Sequence, residues 1–234
     1  MTLVEIDHLS YSYPDGQQAL CDVSLTVDSA EKIALVGSNG AGKSTLLLHL
    51  NGVFAASQGT IKINGFILNK KNLGHIRALV GLVFQNPDDQ LFSPHVFDDV
   101  AYGPHYQGLP HEEVEIRVRE ALAAVGMSGY EQRTSYHLSG GEKKRIAIAT
   151  VLSMQPDFLV FDEPTAGLDP RARRELIELL QDLPQAMLIA THDLDMVEKL
   201  CTRTVILNQG RIRADGPTEH LMRDESLLYE NGLM

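Results

Sequence analysis

Gly37-Ser38-Asn39-Gly40-Ala41-Gly42-Lys43-Ser44-Thr45 fits the pattern G-x-x-x-x-G-K-[ST] and follows directly on the apolar run Ile33 to Val36. A strand that empties into such a loop, with a helix opening behind it, makes a cradle for phosphate. The glycine and alanine positions let successive backbone N–H groups turn inward around an anion. The helix beginning at Lys43 aims the positive end of its dipole at the same point. Ser38, Asn39, Gly40, Ala41, Gly42 and Thr45 are the expected lining, with Lys43 reaching the outer phosphates and Ser44 ligating Mg²⁺. The plainer alternative is a glycine-rich strand-to-helix turn with a chance lysine. Nucleotide binding is the expectation from which the rest of the chain is read.

Outward from the loop, Lys32 to Val36, Val80 to Phe84, Phe158 to Phe161, Met187 to Ala190 and Arg203 to Leu207 are short apolar runs separated by helical segments. That is the pattern of buried parallel strands in an α/β sheet. Glu5 to Tyr13, Leu25 to Val27 and Thr60 to Ile63, punctuated by Pro14-Asp15-Gly16 and Asn64-Gly65, predict an antiparallel flank near the start. Between the Phe84 and Phe158 runs the texture becomes helical, with Val114, Val118, Ala121, Leu122 and Val125 on one face. A helical subdomain over roughly 86–157 is expected as an insertion in the sheet core, the whole of 1–234 forming one unit. Beyond Pro217 a polar helical tail is expected.

With 234 residues and 44% hydrophobic content the chain can bury a large core. The net charge of −11 argues against a nucleic-acid surface, which needs clustered Lys and Arg. It does not argue against ATP, because local amides, one lysine and a divalent cation outweigh a diffuse charge that salt screens within about 8 Å. No apolar run is long enough to span a bilayer. The start, Met1-Thr2-Leu3-Val4-Glu5-Ile6-Asp7, is acidic where a secretory signal is basic, so cytosolic residence is expected. Cys21 and Cys201 have no metal or redox spacing and read as small apolar core residues.

Two further constellations carry chemistry. Phe158 to Phe161 delivers Asp162-Glu163 to a strand end, where a phosphate loop on a neighbouring strand would hold Mg²⁺ and ATP. Without that loop, a solvated Asp-Glu-Pro turn would be the better reading. Leu138-Ser139-Gly140-Gly141-Glu142 has capping-box spacing between Ser139 and Glu142, which alone would explain a helix start. Its two glycines also expose backbone N–H groups at a helix N-terminus, a second anion site.

In this order the motifs resemble the nucleotide-binding subunit of an ATP-binding-cassette (ABC) transporter over nearly the whole chain. Gly37 to Thr45 matches that family's Walker A loop, Gln85 its Q-loop, Leu138 to Glu142 its signature, and Phe158 to Glu163 its Walker B strand with catalytic glutamate. Ala166-Gly167-Leu168-Asp169 matches the D-loop and His192 the switch histidine. The resemblance implies a P-loop NTPase (RecA-like) core of ABC architecture. It implies Ser44, Gln85 and Asp162 around Mg²⁺, Glu163 polarising the attacking water, and His192 and Lys43 on the γ-phosphate side. It also implies Tyr13 stacked on adenine, with Tyr11 as its rival. Ser139, Gly140 and Gly141 would complete the ATP site of a second chain, so a homodimer, or a pair with a similar ATPase chain, is expected. Glu142 stands where the family usually has Gln; facing a phosphate it would be repelled, so it is expected to turn back to its own helix.

A finer resemblance comes from Gln85-Asn86-Pro87-Asp88-Asp89-Gln90-Leu91-Phe92, which is similar to the ATPases of energy-coupling-factor importers. Among them, Leu138 to Ala149 and Thr165 to Arg174 look most like cobalt or nickel transporter ATPases, with biotin-type vitamin systems as nearest rivals. The family implies a peripheral position on the cytoplasmic face of the membrane. Integral membrane subunits would be met through a groove lined from about Gln85 to Gly103, with Phe92, Val96, Phe97 and Val100 as an apolar floor; packing inside the subdomain is the alternative for each. A soluble repair or translation ATPase is the competing class, but only 96 positions separate Lys43 from Ser139, too few for a repair-type coiled coil, and there is one cassette. A non-hydrolysing scaffold conflicts with the joint presence of Glu163, Gln85 and His192. His105 and His111 form no closed metal-ligand set, and His49 is expected to be a packing or surface residue.

Overall fold

The computed structural model describes residues 1–233. In chain order its elements are β1 (Thr2–Ser12), β2 (Gln18–Asp28), β3 (Lys32–Val36), α1 (Lys43–Leu50), β4 (Gln58–Ile63), β5 (Phe66–Ile67), α2 (Leu73–Leu79) and β6 (Val80–Val83). Then follow α3 (Val96–Tyr106), α4 (His111–Ala124), α5 (Gly140–Leu152), β7 (Phe158–Asp162), α6 (Pro170–Asp182), β8 (Ala186–Ala190) and α7 (Leu194–Leu200). The chain finishes with β9 (Arg203–Asn208), β10 (Arg211–Pro217), α8 (Thr218–Leu221) and α9 (Glu225–Glu230).

Two sheets result. One is antiparallel, in the order β2-β1-β4-β5; the other runs β10-β9-β3-β8-β7-β6 and is parallel apart from its edge strand β10. The sequence explains the difference. In β2 buried Val23, Leu25 and Val27 alternate with exposed Ser24, Thr26 and Asp28, as a strand with one wet face must. In β6 and β8 every residue is buried, because both faces of the parallel sheet are covered. Side chains two apart share a face, so Ile33, Leu35, Phe158 and Val160 join one core with α1 and the antiparallel sheet. Ala34, Val36, Leu159 and Phe161 join a second core with residues of α3, α4, α5 and α6. Phe158 and Phe161 are fully buried on opposite faces, and truncating either to Ala should cost about 3–5 kcal/mol.

Between β6 and β7 lie α3, α4, α5 and two 3₁₀ turns, with no strand. Val114, Val118, Ala121 and Leu122 form the buried stripe of α4.

Two expectations need correction, and one strand was not anticipated. The phosphate loop and the Asp162-Glu163 pair do not leave adjacent strands: β8 lies between β3 and β7, and α1 bridges the gap by packing across β7 and β8. Strand β10 had no sequence signal, since Arg211-Ile212-Arg213-Ala214-Asp215 alternates weakly on an edge with little buried surface. Cys201 is buried but Cys21 is half-exposed on β2.

Candidate functional site

The parallel strands end together, and their C-terminal ends carry the residues that matter. β3 leads into Gly37, β6 into Phe84-Gln85, β7 into Glu163, and β8 into Thr191-His192. In open α/β sheets this end is where ligands gather.

The loop after β3 is built from backbone. Gly42 is the N-cap of α1 in the left-handed region (φ 106°), and a Cβ there would stand 2.6 Å from the Ala19 carbonyl oxygen. At Gly37 a Cβ would meet the Leu207 carbonyl oxygen at 2.2 Å. Only glycine fits either position, so the loop lies flat against β9 with Asn39, Gly40 and Ser44 open to solvent. No side chain caps α1 and no acid lies in its first turn, which leaves its N–H groups and dipole directed into the loop. The buried Lys43 donates through Nζ to the carbonyl oxygens of Gly37 (2.7 Å) and Ser38 (3.3 Å). Thr45 is buried beneath, its Oγ1 2.7 Å from the Tyr13 hydroxyl.

Asp162 stands next to this loop. Burial pushes its carboxyl above the ordinary aspartate value and Glu163 pushes it the same way, while hydrogen bonding by the Ser44 hydroxyl and the charges of Lys43 and Lys144 pull it down. The Ser44 hydroxyl and the Asp162 carboxylate stand together as oxygen donors of the kind a hard cation such as Mg²⁺ takes, with phosphate oxygens and water completing its shell. Among the described residues there is no group of three or more His, Cys, Asp or Glu that could hold a metal ion by itself.

Glu163 is buried and adopts φ 45°, an unfavourable backbone for a non-glycine residue immediately before proline. Surrounding contacts hold it there: its N–H donates to the Ala190 carbonyl at 2.8 Å, and Ala166 N–H donates to its carbonyl at 3.1 Å. The carboxylate accepts from the Thr191 hydroxyl (3.1 Å) and from the His192 N–H (3.3 Å), and it faces His192 Nδ1 at 2.9 Å. Asp193, just beyond, is gripped by both arms of Arg173, by the Thr165 hydroxyl and by the Met196 N–H. Burial alone would raise the Asp193 carboxyl, but these donors hold it below its ordinary value.

Ser139, Gly140 and Gly141 open α5, away from the loop. α5 packs on α3, α4, α6 and β6, whereas α1 packs on β2, β7 and β8. Glu142 turns back as expected. It accepts from the Ser139 N–H and hydroxyl, both at 2.8 Å, and from the Tyr130 hydroxyl at 2.8 Å. Those donors, the Ser139 N–H first, hold the Glu142 carboxyl below its usual range. Asp169 caps α6 through the Arg171 and Ala172 N–H groups.

The two tyrosines separate. Tyr13 reaches the phosphate loop, while Tyr11 stacks on Phe54 (5.2 Å) and meets His49 edge-on. His49 is fully buried, its Nδ1 bonded to the Thr45 carbonyl oxygen, and burial lowers its pKa. A groove of about 320 Å³ overlaps the expected Gln85 to Gly103 stretch from Gln90 onward, without Gln85, and its floor differs from the expected one. Val96 and Val100 face the core and Phe97 packs against it, whereas Phe92, Tyr102, Tyr106, Ala78 and Met154 line the groove. On α3, Val96 and Val100 lie four apart on one face, and Tyr102 and Tyr106 lie four apart on the other. Two buried polar residues at the strand ends, Lys144 and Thr191, escaped the sequence reading; each looked like an ordinary helix charge or loop hydroxyl.

The ABC transporter family profile matches residues 20–166, and the chain belongs to that family: it is an ABC ATPase. Within it, the chain is similar to the energy-coupling factor transporter ATP-binding protein EcfA of Methanothermobacter thermautotrophicus, with 48% identity covering 99% of this chain and 76% of that protein. The solved structure of cbiO1 from Clostridium perfringens, part of the ABC transporter complex cbiONQ, superposes with a TM-score of 0.86 at 36% identity, covering 99% of this chain and 95% of that one. A dimeric, post-hydrolysis ATP-binding cassette bound to ADP and Pi shares the fold at a TM-score of 0.82 and 24% identity, over 92% of this chain and 99% of that one. Among the described residues no helix is long and apolar enough to cross a membrane.

Proposed function

We propose that this chain is the ATP-hydrolysing subunit of an energy-coupling-factor importer, working as a symmetric pair on the cytoplasmic face of a membrane and driving uptake of cobalt or nickel through separate membrane subunits. The observation that carries the reading is the convergence of Lys43, Ser44, Asp162, Glu163 and His192 at one end of the parallel sheet. The loop amides and Lys43 bind the triphosphate, and Tyr13 offers its ring to the adenine. Ser44, Gln85 and Asp162 would hold Mg²⁺, which when bound draws charge from the phosphoryl oxygens.

Glu163 orients the attacking water through its carboxylate and takes up a proton from it at that carboxylate. Because that carboxylate accepts hydrogen bonds, the His192 nitrogen facing it, Nδ1, is the donor; contact with the γ-phosphate, whose oxygens also accept, calls for a proton on Nε2 as well. Ser139, Gly140 and Gly141 open α5, which packs on α3, α4, α6 and β6, while the helix behind the loop packs on β2, β7 and β8; this supports their service to a second copy, since a twofold pair generates two equal composite sites. A dimeric cassette among the structural neighbours is in keeping with this.

The apolar groove at Phe92, Tyr102 and Tyr106 is the proposed seat of the membrane subunits. The choice of cobalt or nickel rests on the resemblance of Leu138 to Ala149 and Thr165 to Arg174; the likeness to cbiO1, part of an ABC transporter complex, supports the membrane partners. Affinity purification of the tagged chain from detergent-solubilised membranes, followed by mass spectrometry, tests the assignment. Integral membrane subunits should co-purify with wild type and be lost with Phe92→Asp, whose ATP binding stays intact. Recovery of a vitamin-type component would overturn the metal cargo, and recovery of no membrane protein would overturn the importer.

A further inference from the structure

We infer that Lys144 is a positioning residue that clamps the Gln85 segment to the strand end carrying Glu163. Lys144 sits on the second turn of α5 and is 4% exposed. Its Nζ donates to the carbonyl oxygen of Gln85 at 2.5 Å and to that of Glu163 at 3.3 Å. Among the described residues it makes no ion pair, so its charge is balanced by these carbonyl dipoles and by the more distant Asp162 and Glu163 carboxylates. Burying an ammonium this way costs several kcal/mol unless its donors are used. A lysine there for packing alone would be worse than a methionine of similar volume.

The same helix holds the rest of the segment. Lys143 Nζ pairs with Asp88 at 2.6 Å. Gln90 donates to the Ala147 carbonyl (2.8 Å) and the Thr150 hydroxyl (2.7 Å), and its own oxygen accepts from the Phe84 N–H (3.2 Å). Residues 84–90 therefore ride on α5, whose N-terminus is the Ser139-Gly140-Gly141 element. Lys144 is the one of these ties that also reaches Glu163, at the carbonyl of the strained φ 45° residue. Strain of that kind persists only where the surroundings over-determine it. Lys144 thus joins three parts of the machinery: the helix that serves the partner's ATP, the loop bearing a metal ligand, and the residue that orients water.

The inference rests on the roles given to Gln85 and Glu163 above, and the test separates the two. K144M and K144R are compared with wild type in the full chain, with E163Q as reference. The readouts are ATP turnover, ATP half-saturation and hydrogen–deuterium exchange of nucleotide-free protein. K144M should lower kcat by about 10–10²-fold, the scale of misplacing catalytic groups by about an ångström, with ATP half-saturation unchanged. Exchange should quicken in residues 85–90 and stay unchanged in the 38–45 loop. K144R, which keeps donors for both carbonyls, should recover most of the lost kcat. Wild-type kcat in K144M, or quickened exchange across the whole chain, would reduce Lys144 to a packing residue and overturn the clamp. Should K144M not fold, K144Q takes its place, and kcat equal to that of K144R would overturn it. If E163Q turns over normally the reading of Glu163 fails, while the exchange result still judges the clamp.

Discussion

His192 Nδ1 lies 2.9 Å from Glu163 Oε1, although the histidine ring is mostly exposed and the glutamate almost wholly buried. The pair joins the ends of β7 and β8, so the carboxylate is aimed by the neighbouring strand as well as its own. Arg173, locked onto Asp193 one residue on, fixes the loop that carries the histidine.

Glu163→Gln keeps the shape and the hydrogen-bond acceptor but removes the proposed base. Turnover should fall by about 10²–10⁴-fold, the range for loss of a general base, while ATP still binds. Phosphate release and nucleotide binding, measured side by side, check this. Near-normal turnover would remove Glu163 from its role.

Lys43→Ala should act on binding itself. The loss of a charge-assisted contact to phosphate should weaken ATP by about 10–10²-fold, read by equilibrium titration with a fluorescent nucleotide.

Asp162, proposed to hold Mg²⁺, should trade stability for that role. Its folded pKa lies above the ordinary 3.8, with burial the largest cause, so at neutral pH its charge disfavours the fold, a cost that fades as pH falls through the raised value. Asp162→Asn should therefore melt at the same or a higher temperature than wild type at pH 7 without nucleotide. It should lose the extra stabilisation that Mg·ATP gives wild type. Thermal melts at pH 7 and pH 4, with and without Mg·ATP, decide the matter; a variant less stable than wild type at pH 7 would contradict the assignment.

Glu142 has the opposite sign. Its carboxyl is held below the ordinary 4.5 by the Ser139 N–H and hydroxyl and the Tyr130 hydroxyl, so its charge stabilises the fold above that value and ceases to do so as pH falls through the lowered one. Glu142→Gln keeps the acceptor and loses the charge. The gap in melting temperature between wild type and E142Q should be fully open above pH 4.5 and close at lower pH.

Most of this architecture was legible because buried parallel strands are continuous apolar runs: Ile33 to Val36 and Phe158 to Phe161 need no tertiary information to be recognised. The glycines at 37 and 42 were legible because their chemistry is backbone chemistry. What escaped notice depends on three dimensions. That β8 separates β3 from β7 is a matter of strand order, which a list of strands does not contain. Lys144 stands among Lys143 and Arg145 in a run that reads as a solvated helix start, and only the rotation of α5 against β7 turns it inward. The groove floor was misassigned for the same reason. Val96 and Tyr102 both lie on α3, and the phase of that helix buries the first and exposes the second. Tyr11 lies on β1 and Tyr13 just past its end, and it is Phe54, beyond the end of α1, that stacks on the first and meets the second only edge-on, beside Thr45.

The central claim is that two copies of this chain share ATP across a twofold face, each lending Ser139, Gly140 and Gly141 to the other. Sedimentation velocity of purified Glu163→Gln protein, with and without saturating Mg·ATP, tests it most directly. A nucleotide-dependent shift from monomer to dimer, abolished by adding Ser139→Arg, is the predicted result. A monomer at saturating Mg·ATP, in a protein shown by titration to have bound it, would contradict the account.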